Sequence, residues 1–123
     1  MKSGNIIQEK SYSFALKVVK TYKLLIEDKR EFILSKQLLR SGTSIGALIE
    51  EAIGGQTEKD FFAKMAIAYK EARETHYWIR LLRDSDYLGT QISTELLKDV
   101  DEVQRIIGSI QKTIRSKIES NNS

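Results

Sequence analysis

Apolar side chains recur along most of this chain at intervals of three and four residues, the spacing that lines one face of an α-helix. Four such runs, separated by short polar or glycine-containing breaks, predict helices over about 6–28, 31–53, 58–84 and 91–118. The first run carries Ala15, Val18, Val19, Tyr22, Leu25 and Ile26, and ends in the polar turn Glu27-Asp28-Lys29-Arg30. In the second, Leu34, Leu38, Ser41, Ile45, Leu48 and Ala52 alternate steps of four and three, a heptad-like seam. Gly54 and Gly55 are expected to stop it in left-handed conformations. The third run has the clearest start, with Thr57 as N-cap and Glu58 and Asp60 in the electropositive first turn. Phe62, Met65, Tyr69, Ala72, His76 and Ile79 form its seam, widened by Phe61, Ala68, Thr75 and Leu82. The fourth runs through Ile92, Leu96, Val100, Val103, Ile107, Ile110 and Ile114. It is rich in β-branched residues, but its period is near 3.6 and it is too long for a strand. The polar tail Ser120 to Ser123 is expected to fray.

Helices of these lengths with short links predict an all-α, antiparallel up-down-up-down four-helix bundle, a single domain over 1–123. The chain contains no proline, which agrees with long uninterrupted helices. The stretch Leu38–Gly55, LLRSGTSIGALIEEAIGG, stands out because small residues crowd the middle of a predicted helix. Each interior glycine costs about 1 kcal/mol relative to alanine, and close approach of another helix is the usual compensation. Gly42, Ser44 and Gly46 are therefore candidate packing positions, with Ile45, Leu48 and Ile49 filling the seam. Whether the neighbour is part of the same chain or of another subunit is open at this level.

Composition removes several classes of chemistry. The chain has 123 residues, no cysteine and one histidine. Disulfides, thiolate metal sites and thiol nucleophiles are excluded, in keeping with a reducing cytoplasm. A di-metal bundle site needs glutamate and histidine at i, i+3 on facing helices; Arg73 and Ile79 flank His76 at that spacing instead. No cofactor or metal is expected, and pairs such as Glu50-Glu51 read as a solvated face. His76 reads as a histidine at a helix interface satisfied by one hydrogen bond rather than a general base. No GxSxG motif accompanies it, and Gly42-x-x-x-Gly46 lacks the lysine and the strand-to-helix setting of a phosphate loop. No apolar run approaches a membrane span, and the start MKSGNIIQEK does not resemble a secretion signal.

The formal net charge is +3, but its distribution is uneven. Lys10, Lys17, Lys20 and Lys23 lie in a stretch of the first helix without acids, and Arg105, Lys112, Arg115 and Lys117 in a similar stretch of the fourth. If these segments lie side by side they form a basic patch suited to RNA or DNA. No zinc finger, helix-turn-helix or RNP-type aromatic motif accompanies it. Tyr77 and Trp78 are adjacent, so at least one is expected near the surface, with Trp78 assigned to core packing.

The run RSGTSIGALIEEAIGG followed by TEKDFFAKMAIAYKEARETHYWIRLL resembles the four-helix-bundle family of proteins encoded in 23S rRNA intervening sequences. The elements that match are Ser44-Ile45-x-Ala47 followed by Glu51, the phenylalanine pair after the glycine turn, and the Lys-Glu-Ala-Arg-Glu-Thr run ending in Tyr77-Trp78. The similarity extends over about residues 10 to 115. One departure stands out: family members usually carry asparagine where this chain has Leu48. The resemblance implies a bacterial bundle assembling into a homopentameric ring. It also extends to the accessory protein of diversity-generating retroelements, a positively charged pentamer that works with a reverse transcriptase and nucleic acid. It implies no catalytic activity.

The expectation from sequence is thus a non-enzymatic homo-oligomer that binds RNA or another nucleic acid through Lys17, Lys20, Lys23, Arg105, Lys112 and Arg115. The alternative is a scaffold that docks a partner enzyme without touching nucleic acid. No membrane partner is expected.

Overall fold

The computed structural model describes residues 2–122 and contains four helices: α1 Lys2–Glu27, α2 Leu34–Ile53, α3 Glu58–Asp84 and α4 Thr90–Asn122. No strand occurs among the described residues. Each helix packs against two others, α1 on α2 and α4, and α3 on α2 and α4. The core is the space they enclose, filled by Ile7, Phe14, Val18 and Leu25 of α1, Leu38, Ile45 and Ile49 of α2, Met65, Ile79 and Leu82 of α3, and Leu96, Val100 and Ile107 of α4.

The buried face of α1 is rotated from the expected one, and that of α3 is narrower than expected. On α1 the core stripe is Ile7, Ser11, Phe14, Val18, Thr21 and Leu25, while Ala15, Val19, Tyr22 and Ile26 are only half-buried. On α3 the buried line runs through Phe61, Met65, Ala68, Ala72, Thr75, Ile79 and Leu82. Phe62, Tyr69 and His76 lie on its flank, with Tyr69 at 36% exposure. The reason is the same in both helices: apolar residues line two adjacent faces, and three- and four-residue spacing alone does not say which one faces inward.

Helix ends also differ from the expected mechanism. No glycine has a positive φ among the described residues; Gly54 has φ −79°. The left-handed residues are Arg30 (φ 54°) and Asp86 (φ 67°). Each turns the chain after a helix, and the following amides return to the helix carbonyls: Glu31 N–H to Leu25 O at 2.9 Å and Tyr87 N–H to Leu82 O at 2.9 Å. Glu31, expected to begin the second helix, precedes it and caps it. Its carboxylate accepts from the backbone N–H groups of Ile33, Leu34 and Ser35 at 3.1, 3.1 and 2.7 Å. Thr57 caps α3 as expected, its Oγ1 accepting from Asp60 N–H at 3.0 Å. The tail expected to fray continues α4 through Ser120 to Asn122, and Ser123 lies outside the described residues.

Candidate functional site

The small-residue stretch of α2 meets α1 of the same chain. A Cβ on Gly42 would lie 2.8 and 2.9 Å from the two Val18 methyl carbons, so only a glycine fits without displacement. Gly46 is less demanding, because a Cβ there would make ordinary contact with Ser11 at 3.5 Å or more. Ile45 and Ile49 are fully buried. Leu48 is half-buried against the core, and Ser44 donates to Ser41 O at 2.8 Å. Thr75 of α3 is hydrogen-bonded to Ser41 Oγ of α2 at 3.0 Å in the buried seam. Gly42 and Gly46 therefore face α1, and Ile45 and Ile49 pack into the core of the same chain.

The basic residues divide into two groups. Lys17 is neutralised: its Nζ lies 2.6 Å from Asp99 and 2.9 Å from Glu95 of α4. Hydrogen bonds to Asp99 and then Glu95 raise the Lys17 pKa. Lys10 pairs with Glu102 at 3.1 Å and Lys117 with Glu58 at 2.9 Å. Lys20, Lys23, Arg105 and Lys112 are exposed and make no hydrogen bond or ion pair among the described residues, and the Arg115 guanidinium stands 5.4 Å from the Phe62 ring centroid.

The pairs Lys10–Glu102 and Lys17–Glu95 also fix the register. The basic half of α1 lies beside the acidic first half of α4, not beside Arg105–Lys117. Arg105 and Arg115 follow Glu95 by ten and twenty residues, or roughly 15 and 30 Å along the helix. The expected side-by-side patch is thus two separated basic zones. The acids that divide them, Glu95, Asp99 and Glu102, fall outside the two acid-free stretches.

A second basic feature was not singled out from the sequence. Arg73, His76 and Arg80 occupy one flank of α3 and line a cleft of about 290 Å³ with Asp101 and Gln104 of α4. Arg80 Nε donates to His76 Nδ1 at 3.0 Å, and His76 Nε2 faces Asp101 Oδ1 at 3.4 Å. In the neutral imidazole the proton is therefore on Nε2. Burial lowers the His76 pKa; Asp101 opposes this, while Arg80, Arg73 and Arg83 reinforce it. Gln104 Nε2 is buried and has no hydrogen-bond partner among the described residues, and Arg73 makes no ion pair or hydrogen bond there. The i, i+3, i+7 spacing of Arg73, His76 and Arg80 is the sequence signal for it, obscured because His76 also falls at the spacing of the apolar seam.

On the α2–α3 side, Arg40 bridges Glu71 at 3.4 Å and Glu74, and Trp78 Nε1 donates to Glu74 Oε2 at 2.8 Å. Trp78 packs partly against the core; Tyr77 is 48% exposed and meets its ring edge-on at 5.0 Å. Among the described residues no group of three or more His, Asp or Glu could hold a metal ion, and no helix is long and apolar enough to cross a membrane.

The family model described as 23S rRNA-intervening sequence protein matches residues 4–109. A crystal structure of a protein of unknown function from the S23 ribosomal protein family of Bacteroides thetaiotaomicron VPI-5482 is similar, with a TM-score of 0.88 and 43% sequence identity over 89% of this chain and 98% of that one. No curated protein matches.

Proposed function

Because the chain belongs to the 23S rRNA-intervening sequence protein family, we propose that it is a non-catalytic, self-associating helical bundle that binds RNA in the cytoplasm through its exposed basic residues. The observation that carries the reading is the set of cations left without an ionic partner on the outer faces: Lys20, Lys23, Arg105, Lys112 and Arg115. Lys17 leaves the proposed contact set, because displacing two carboxylates would offset what it gained from a phosphate.

The reading takes the topology to be up-down-up-down. Its support is the pairing of Gln8 with Glu50, of Lys17 with Glu95, and of His76 with Asp101, each joining early residues of one helix to late residues of its neighbour or the reverse. It takes the assembly to be a homopentameric ring, as the family resemblance implies. Support for self-association is the second apolar stripe of α1, where Tyr12 and Leu16 are 66% and 50% exposed beside half-buried Ala15, Val19 and Tyr22. Exposed apolar area of this kind marks interfaces.

The test is binding to a structured RNA across a salt series. The logarithm of the association constant should fall linearly with that of salt concentration. Neutralising Lys20, Lys23, Arg105, Lys112 and Arg115 together should flatten the slope and weaken binding, whereas Lys17→Gln should leave both nearly unchanged. Absence of binding at low salt would remove the RNA reading in favour of a protein-docking scaffold.

A further inference from the structure

We propose that the cleft between α3 and α4 is a binding site for a phosphoryl oxyanion, held by Arg73, Arg80 and the Gln104 amide and gated by His76. The inference is independent of the RNA reading, since a free phosphate or a phosphomonoester satisfies the same groups as a backbone phosphate.

The argument begins with unused donors. Arg73 has no hydrogen-bond or ionic partner among the described residues, and Arg80 donates only its Nε, to His76; its guanidinium stands 5.9 Å from the Tyr77 ring centroid with both terminal nitrogens free of hydrogen bonds. Planar guanidinium groups with open donors suit the tetrahedral oxygens of phosphate. Gln104 adds a buried Nε2 without an acceptor. An unpaired buried donor is costly, and Gln104 is among the residues that line the cleft. At about 290 Å³ the space admits a phosphoryl group with accompanying water.

Asp101 is the one carboxylate in the cleft, and its Oδ1 faces His76 Nε2. This arrangement makes the site a gate rather than a permanent sink. With His76 neutral, Nδ1 holds the Arg80 Nε proton and Asp101 faces the imidazole N–H. Protonation of Nδ1 breaks the bond to Arg80, frees that guanidinium, and adds a third positive charge against the single carboxylate. The charged groups facing the imidazole are Arg73, Arg80 and Arg83 from α3 and Asp101 from α4. An oxyanion and a proton on His76 therefore favour one another, and each should bind more tightly in the presence of the other.

His76 is the sole histidine, so its imidazole resonances report on the site without ambiguity. The experiment is an NMR pH titration of the full chain in chloride and in inorganic phosphate at matched ionic strength. It is repeated with a ribonucleoside 5′-monophosphate and with a short RNA lacking terminal phosphates. Phosphate should raise the His76 midpoint, with saturable shifts that are strongest at acidic pH. Arg73→Gln and Arg80→Gln should each weaken phosphate binding at least about five-fold, the loss of a charge-assisted hydrogen bond discounted for partial exposure. At a pH below the His76 midpoint of both chains, Asp101→Asn should strengthen it, a gain that unfolding cannot mimic. Identical His76 titrations in chloride and phosphate would overturn the site. RNA binding with an unmoved imidazole would do so as well, while leaving the RNA reading intact. Phosphate or nucleotide saturation without RNA binding would establish the site and sink the RNA reading.

Discussion

Gly42 of α2 and Val18 of α1 are packed so closely that a methyl group on the glycine would stand 2.8 Å from a Val18 methyl carbon. The contact explains why a residue that disfavours helix sits in mid-helix. Gly42→Ala should destabilise the fold by about 1–3 kcal/mol through overpacking, despite the roughly 1 kcal/mol alanine gains in helix propensity. Gly46→Ala, meeting Ser11 only at ordinary distance, should be neutral or stabilising by up to about 1 kcal/mol. Denaturant melts of both variants check the contrast. Val18→Ala should restore part of what Gly42→Ala loses, giving a favourable coupling in a double-mutant cycle.

Glu31 governs the start of α2. Burial alone would push its carboxyl pKa up, but bonds from the backbone N–H groups of Ser35, Leu34 and Ile33 outweigh burial and hold it below the ordinary value. The folded chain thus binds this proton less readily than the unfolded one. The stabilising contribution is present above about pH 4.5, the unfolded value, and is lost as pH falls through the lower folded value. Glu31→Ala should cost about 1–3 kcal/mol, as cap and buried acceptor go together. In urea melts from pH 7 to 3, the gap between Glu31→Ala and the parent chain should narrow with acid.

His76 titrates in the opposite sense to a histidine that gains a counter-ion. With its pKa depressed by burial and by Arg80, Arg73 and Arg83, the unfolded chain holds more protons in the window between the folded value and 6.5. Stability should therefore rise with pH across that window and level off above it. Asp101→Asn should depress the imidazole pKa further, because Asp101 is the group that raises it, and Arg80→Gln should relieve it. Histidine NMR titration reads both directions.

The four-helix architecture was legible because element existence follows from periodicity and from breaks. Leu38, Ile45, Met65, Ile79, Val100 and Ile107 are as buried as their spacing implies. Rotation about the helix axis is not legible where two adjacent faces are both apolar: spacing alone does not mark Phe14 as buried on α1 or place Tyr69 on the flank of the α3 seam. Inter-helix register was equally hidden: Lys17 belongs with Glu95 and Asp99 across 78 and 82 residues of sequence, respectively, and only packing reveals that it is neutralised. The α3 cleft required both pieces, the outward rotation of His76 and the register that brings Asp101 and Gln104 opposite it.

Leu48, where the family resemblance points to asparagine, is half-buried against the core. An amide there loses apolar contact and gains no neighbour known to accept its hydrogens. Leu48→Asn should cost about 1–3 kcal/mol in a denaturant melt, less than for a fully buried position. A stability equal to that of the parent chain would mean that the position meets water or a polar partner.

The exposed stripe of α1 makes the last prediction. Tyr12 and Leu16 lie one turn apart on α1, away from the core stripe through Phe14 and Val18. If that face is buried between copies of the chain, a charge within it meets a desolvated apolar surface, which costs several kcal/mol per ring contact. Leu16→Glu should then shift the solution mass from about five times the 14.1 kDa chain toward the single chain, while leaving helix content unchanged, since Leu16 is 50% exposed in the isolated bundle. Lys98→Glu, exposed on α4 and away from the α1 stripe, is the control and should leave the mass unaltered. Light scattering coupled to size exclusion, with circular dichroism on the same samples, separates loss of assembly from loss of fold. A parent chain that already runs at 14.1 kDa across micromolar concentrations would refute the ring itself.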